Sequence, residues 1–271
     1  MLLQASNIYF KYPDGTEALR GAGFEVDSCE VVALLGANGS GKSTLLMVAA
    51  GLLEPTRGEV LFDGKPLREQ LPWARRHIGV LFQNPDDQLF NPTVRDEIAF
   101  ALRQLGYSCE ETSRRIHEVA VKLGVEGILD KPPYKLSLGE KKRVALASIL
   151  VYEPRLLLLD EPSASLPPRV VELLERLIRE WRRECRAVVI ASHDVDFVAR
   201  IADRVYLLDK GRVVGRGAAR ELLGDEETLA GIELAPPTPV RVARMLGYTG
   251  SPPVTLEELV ELVRGCCLPR A

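Results

Sequence analysis

The sequence predicts an α/β fold on a mixed sheet with a phosphate-binding core, and three observations carry that prediction. An apolar run at 31–35 leads directly into Gly36, Ala37, Asn38, Gly39, Ser40, Gly41, Lys42, Ser43 and Thr44, which match G-x-x-x-x-G-K-[ST] at every fixed position, and an apolar helical stretch follows. Further buried-type strands at 78–82, 155–159 and 187–191 recur along the chain. Helical patterns interrupt the strand–helix alternation after residue 84, marking a helical insertion.

At the N-terminus, 2–12 and 21–28 read as strands joined by a turn at Pro13-Asp14-Gly15. With a hairpin-like segment at 59–62, turning at Asp63-Gly64, they form an N-terminal antiparallel β subdomain. Tyr12 closes the first strand, where an aromatic by itself means packing. In the loop, glycines 36, 39 and 41 let successive N–H groups point inward as an anion nest, to which the following helix adds its positive end. Lys42 then reaches the β and γ phosphates of a nucleotide, and the Ser43 hydroxyl ligates Mg²⁺. The helix is expected over 43–53, ended by Pro55 and Gly58.

After the strand at 78–82 comes a polar loop, Gln83-Asn84-Pro85-Asp86-Asp87-Gln88. Val94, Ile98, Ala101, Leu102 and Leu105 recur at helical spacing over 93–105, and a second helix opens at Ser108 with Glu111 as its capping-box partner. Ser137 and Glu140 repeat that spacing, which reads either as an ordinary capped helix or as a second anion site. The leucine strand at 155–159 ends in Asp160-Glu161; a carboxylate at a parallel strand's C-terminal end is placed to hold Mg²⁺, leaving its neighbour to polarise a water. An amphipathic helix over 169–183 leads to the strand at 187–191 and Ser192-His193-Asp194. A lone His at a strand end is usually structural; on this edge a neutral imidazole would hydrogen-bond a γ phosphate or its water. Two strands then turn at Lys210-Gly211, and the tail from 225 holds two short helices between Pro-rich joints. The resulting division is 1–224 as the nucleotide-binding unit, with a helical subdomain at 84–150 inside it, and 225–271 as a C-terminal helical extension.

Composition bounds the function. A net charge of −3 and a pI of about 5.8 lack the basic footprint of a nucleic-acid binder. The first twelve residues lack a signal peptide's basic start and unbroken apolar core, and no apolar run approaches the ~20 residues that cross a bilayer. The cysteines at 29, 109, 185, 266 and 267 show no metal spacing and read as scattered reduced thiols, the adjacent Cys266 and Cys267 as incidental.

Taken together, these stretches resemble the ATP-binding subunits of ABC transporters over essentially the whole chain. The order of phosphate loop, glutamine loop, signature helix, Asp-Glu strand and switch histidine carries the resemblance. It implies that Tyr12 stacks on adenine, that Gly36 to Thr44 bind ATP, and that Gln83 senses Mg²⁺ and the attacking water. It further implies that Ser137 and Gly139 bind the γ phosphate across a dimer, that Asp160 is the metal-holding acid, Glu161 the catalytic base and His193 the switch. Residues 10–16 and 83–90 look like energy-coupling-factor ATPases, which drive uptake of vitamins or of cobalt and nickel ions; the Leu-Ser-Leu-Gly-Glu-Lys-Lys-Arg wording leans towards the metal-ion members.

The resemblance implies a second ATPase subunit, either identical or a related paralogue, an integral membrane coupling subunit and a substrate-binding membrane protein. The chain would then sit peripherally on the cytoplasmic face of the cell membrane, with the helix at 93–105 and its preceding loop as the contact surface. Two departures stand out: Leu138 replaces the first glycine of the signature, and Pro167 stands where the family carries an Asp that reaches across the dimer. The competing class is a soluble, non-transport ABC-type ATPase, but those typically show a long coiled-coil insertion or tandem halves, and this sequence has neither.

Overall fold

The computed structural model describes residues 1–267. Two sheets hold the chain together. The antiparallel sheet contains β1 (Leu3–Lys11), β2 (Glu17–Val26), β4 (Arg57–Phe62) and β5 (Lys65–Pro66), in the order β2-β1-β4-β5. The other sheet contains β3 (Val31–Leu35), β6 (Ile78–Leu81), β7 (Leu156–Asp160), β8 (Ala187–Ser192), β9 (Arg204–Asp209) and β10 (Arg212–Ala218). Its order is β10-β9-β3-β8-β7-β6, parallel throughout except for the β9–β10 pair. The architecture is therefore the mixed α/β fold with an N-terminal antiparallel sheet that the sequence predicts.

The central strands β3, β7 and β8 are apolar up to their last residues, where Asp160 and Ser192 stand, because both faces are covered. Leu156 and Leu158 of β7 face one core with Val32 and Leu34 of β3, the inner residues of the antiparallel sheet, and Leu45, Leu46 and Val48 of helix α1 (Lys42–Ala49). The alternate residues Leu157 and Leu159 face a second core. That core is closed by α3 (Val94–Gln104), α4 (Cys109–Leu123), α5 (Leu138–Leu150) and α6 (Pro168–Arg183). The four-residue α2 (Leu71–Ala74) precedes β6. A third cluster joins Ala33 and Leu35 of β3 to α7 (Val195–Ile201), α8 (Ala219–Gly224), α9 (Glu226–Ala230) and α10 (Thr238–Met245). Helix α11 (Leu256–Cys267) ends the described chain, and no helix among the described residues is long and apolar enough to cross a membrane.

Several expectations shift. Strand β2 starts at Glu17, because the turn closes within Tyr12–Thr16: the Tyr12 N–H donates to the Thr16 carbonyl at 2.9 Å. Helix α1 stops at Ala49, since Gly51 takes a left-handed φ of 69° well before Pro55. Among the described residues the tail from 225 holds three helices; α9, five residues long and capped by Asp225, is too short to show a helical period. The Ser108 hydroxyl accepts from the Glu111 N–H at 3.2 Å, but the Glu111 carboxylate turns to Arg114 and Arg115. The scattered-thiol expectation is corrected for two residues: Cys29 and Cys185 form a disulfide. They lie just before β3 and β8, parallel neighbours whose adjacency no sequence spacing reveals. Cys109 is free and exposed, while the side chains of Cys266 and Cys267 lie outside the described residues.

Candidate functional site

The parallel strands all present their C-terminal ends on one edge, so β3, β7 and β8 deliver Gly36, Glu161 and His193 to the same place. The loop at 36–44 owes its shape to close packing as much as to freedom of φ. A Cβ on Gly36 would lie 2.3 Å from the Leu208 carbonyl oxygen, so only glycine lets the loop pass under β9. Gly41 combines a φ of 103° with the Ala18 carbonyl 2.7 Å from any added Cβ. The loop opens α1, whose first-turn N–H groups complete the nest. Asn38 and Gly39 lie in its turn ahead of the buried Ser40.

Lys42 is 5% exposed. Its ammonium donates to the carbonyls of Gly36 (2.8 Å) and Ala37 (3.0 Å) and stands 4.0 Å from Glu161 Oε1. Burial lowers its pKa, opposed by Glu161 and Asp160. Tyr12 pins the loop from the side: its hydroxyl is 3.0 Å from Thr44 Oγ1 and its ring meets Phe10 edge-on.

Asp160, buried at the end of β7, has its carboxyl pKa raised, first by desolvation, against the lowering effect of the Ser43 hydroxyl beside it. Its Oδ1 is buried without a hydrogen-bond partner. An orphaned carboxylate oxygen next to a hydroxyl is a donor set that suits a hard divalent cation.

Glu161, buried, is fixed at both carboxylate oxygens: Oε1 lies 2.8 Å from His193 Nδ1, and Oε2 accepts from Ser192 Oγ at 3.2 Å. Its backbone takes a φ of 45° while its N–H donates to the Ala191 carbonyl at 2.8 Å, tying the residue across to β8. An ionised carboxylate only accepts, so Nδ1 of His193 carries the proton. With Nδ1 engaged by Glu161, Nε2 is the ring nitrogen left open to a further partner.

The structure does not bring every predicted site residue into one cluster. Gln83 is exposed and makes no side-chain hydrogen bond among the described residues. The wired glutamine of that loop is Gln88, which accepts from the Phe82 N–H and donates to the Ala145 carbonyl at 3.2 Å. Ser137 and Gly139 sit at the N-terminus of α5 with no hydrogen bond to the phosphate loop. The capping box forms in full there: the Glu140 N–H donates to Ser137 Oγ, and Ser137 donates N–H and Oγ–H to the Glu140 carboxylate. Sequence reasoning missed Gln88, Ser192 and Lys142. The signal for Lys142 is a charge in helical register with the buried face of α5, three and four residues before Ala145 and Leu146.

Residues 19–164 match the family model described as ABC transporter. The energy-coupling factor transporter ATP-binding protein EcfA of Methanocaldococcus jannaschii is 40% identical over 93% of this chain and 92% of the relative. The protein of the same description from Methanothermobacter thermautotrophicus is 39% identical over 95% of this chain and 85% of its own. Among solved structures, cbiO1 from Clostridium perfringens, described as part of the ABC transporter complex cbiONQ, superposes with a TM-score of 0.74 at 36% identity, covering 91% of this chain and 98% of that one. A glycine-rich loop closed on a buried lysine beside a buried Asp-Glu pair, on a fold shared with these relatives along nearly its whole length, identifies the chain: it belongs to the ABC transporter ATP-binding subunits of the energy-coupling factor type, ATPases that couple hydrolysis to transport.

Proposed function

We propose that this subunit hydrolyses ATP with Glu161 as the general base, as one half of an ATP-closed dimer that drives a membrane importer. The observation that carries this reading is the placement of the Glu161 carboxylate, buried between His193 and Ser192 and 4.0 Å from Lys42. The phosphates lie in the nest of 36–44 under Lys42, with the adenine against Tyr12. Ser43 and Asp160 would hold Mg²⁺, which neutralises charge on the β and γ phosphates when bound; Gln83's share in that set rests on resemblance alone. Glu161 accepts the proton of the water that attacks the γ phosphate, and His193 and Ser192 keep the carboxylate aimed.

The exposed Ser137 and the half-buried Gly139, unattached to their own loop, support their use by a second ATPase subunit, identical or paralogous. Phe90 and Phe100 meet edge to face at 5.0 Å while 68% and 40% exposed, which favours the face of α3 and its preceding loop as the seat of the integral membrane coupling subunit. That subunit, together with a substrate-binding membrane protein, holds the chain peripherally at the cytoplasmic face. The cargo class is cobalt or nickel ions, or a vitamin. Residues 1–224, including the helical subdomain at 84–150, form the ATPase unit and 225–271 its extension.

Glu161→Gln is the test. Turnover should fall by about 10²–10⁴-fold, the range for a lost general base, while ATP binding persists and an ATP-bound dimer accumulates on size exclusion. Undiminished turnover would remove Glu161 as the base.

A further inference from the structure

Lys142 lies in the second turn of α5, 3% exposed, on the face that also buries Ala145 and Leu146. A lysine is rarely buried this fully unless its charge is satisfied. Here the ammonium donates to two backbone carbonyls, that of Glu161 at 3.0 Å and that of Ala164 at 2.6 Å. Both belong to the loop that follows β7.

That loop is contorted. Glu161 and Ser165 both have left-handed φ values, 45° and 60°, at non-glycine positions. Such backbone persists only where its surroundings over-determine it. Inside the loop, the Ala164 N–H reaches the Glu161 carbonyl at a long 3.3 Å, and the Leu166 N–H reaches Ser163 at 3.2 Å. The two bonds from Lys142 are the shorter ones and come from outside the loop. At its far end the loop meets the same helix, where a Cβ on Gly139 would stand 3.7 Å from Pro167 Cδ. The helix bearing Ser137 and Gly139 and the loop bearing Glu161 are thus fastened within a single chain, in a protein whose residue 167 offers neither a carboxylate nor an N–H.

We infer that Lys142 is a positioning residue for hydrolysis: its ammonium fixes the backbone of Glu161 through Ala164 against α5 and so holds the Glu161 carboxylate on its line of attack. Lys142 touches no substrate in this arrangement; it acts through Glu161, and the inference rests on the reading of Glu161 as base. A neutral side chain of the same length at 142 would leave the two carbonyls without these donors and the contorted loop free to relax.

The experiment compares Lys142→Met, Lys142→Arg and Glu161→Gln in the full chain, reading steady-state turnover, KM for MgATP, ATP affinity and melting temperature. A displacement of about 1 Å at a reacting group costs on the order of 10²-fold. Lys142→Met should therefore lose about 10- to 100-fold in kcat, with KM and ATP affinity changed by less than about threefold, and Lys142→Arg should recover part of the loss. Turnover of Lys142→Met within about threefold of the parent overturns the inference. So does a parallel loss of ATP affinity, which would place the lysine in general scaffolding. If Lys142→Met does not fold, Lys142→Leu, which likewise removes both donors, is read the same way; failure of all three Lys142 variants to fold also overturns the inference. Glu161→Gln separates the layers: normal turnover there removes the base, whereas an inactive Glu161→Gln beside a fully active Lys142→Met removes only the role of Lys142.

Discussion

The two ends of the six-stranded sheet are built on opposite terms. At the C-terminal ends of its parallel strands, four charged side chains are buried together, Lys42, Lys142, Asp160 and Glu161; both ammonium groups are held by backbone carbonyls, and Asp160 is left with an unpaired oxygen. At the N-terminal ends the charges are half in solvent and paired with one another. Arg182 reaches Asp203 at 2.7 Å, Asp203 accepts from the Val31 N–H at 2.9 Å, and Arg155 grips Asp63, while Cys29 and Cys185 join the starts of β3 and β8 covalently. Both ends contain left-handed non-glycine residues: Glu161 at one, Cys29 and Cys185 at the other. One end closes its turns with bonds among the protein's own groups; the other leaves an Asp160 oxygen without a partner. Stability and activity should therefore respond to different substitutions.

The largest effect is expected at the strapped end. The two cysteines are 156 residues apart, and for a loop of that size the chain-entropy relation gives about 5 kcal/mol at 25 °C. Replacing both by serine, or reducing the native chain, should lower the melting temperature by on the order of 10 °C, at the ~2–4 °C per kcal/mol typical of a chain this long. Turnover of the folded protein at 25 °C should stay within about twofold, because the bond lies at the edge away from Glu161. A large loss of turnover with no thermal shift would break the division between the ends.

At the other end, His193→Ala removes the group 2.8 Å from Glu161 Oε1 and leaves Ser192 as the side chain hydrogen-bonded to the carboxylate. The expected cost is about 10- to 100-fold in kcat with ATP affinity little changed, read by steady-state kinetics beside a nucleotide titration.

Asp160→Asn sharpens the contrast further. The raised pKa of Asp160 means that the metal-free native state binds its proton more readily than the unfolded chain does. The group's contribution to folding is therefore most favourable below its unfolded value and is lost as pH rises through the folded one, so at neutral pH the ionised carboxylate costs stability. Asparagine removes that cost. The metal-free variant should melt no lower than the parent at pH 7 and should lose the part of the pH dependence between the folded value and the ordinary aspartate range. Mg²⁺ affinity should meanwhile fall by about tenfold or more, on the order of 1.4 kcal/mol, measured by calorimetry with nucleotide present. A variant less stable than the parent without metal would show that the orphaned oxygen is satisfied in solution.

The sequence made the site's local parts legible and left its cross-chain parts hidden. The phosphate loop, Asp160-Glu161 and His193 could be read because each is a short motif at the end of an apolar strand, and strand ends are marked by composition. The full capping box at Ser137 followed from two residues three apart. What stayed hidden depends on which strands become neighbours: the meeting of Cys29 with Cys185, the bond from Gln88 to α5, and the reach of Lys142 across 19 residues to the Glu161 carbonyl. Boundaries slipped where one glycine overrode a later proline, as Gly51 did to Pro55 at the end of α1.

The smallest predicted effect tests whether the strapped end contributes through its ion pairs as well as its disulfide. Arg155 precedes β7 and donates from two nitrogens to Asp63, at 2.5 and 3.0 Å, joining the six-stranded sheet to the β4–β5 turn 92 positions away. Its guanidinium also lies 5.6 Å from the centre of the Phe62 ring. Both partners are more than a third exposed or close to it, at 43% and 35%, so water and salt screen the pair. Exposed pairs contribute about 0.2–1 kcal/mol, and the bidentate geometry and the ring place this one toward the upper end. Arg155→Ala should lower the melting temperature by about 2–4 °C, less at high salt, and leave kcat and KM unchanged. The reason to expect silence in the kinetics is geometric: Arg155 stands just before β7 and Glu161 just past it, with four leucines paired to neighbouring strands on both sides in between. A shift at the entrance must therefore move three strands together before it reaches the carboxylate, and a turnover change larger than about twofold in Arg155→Ala would mean that the two ends of the sheet are coupled after all.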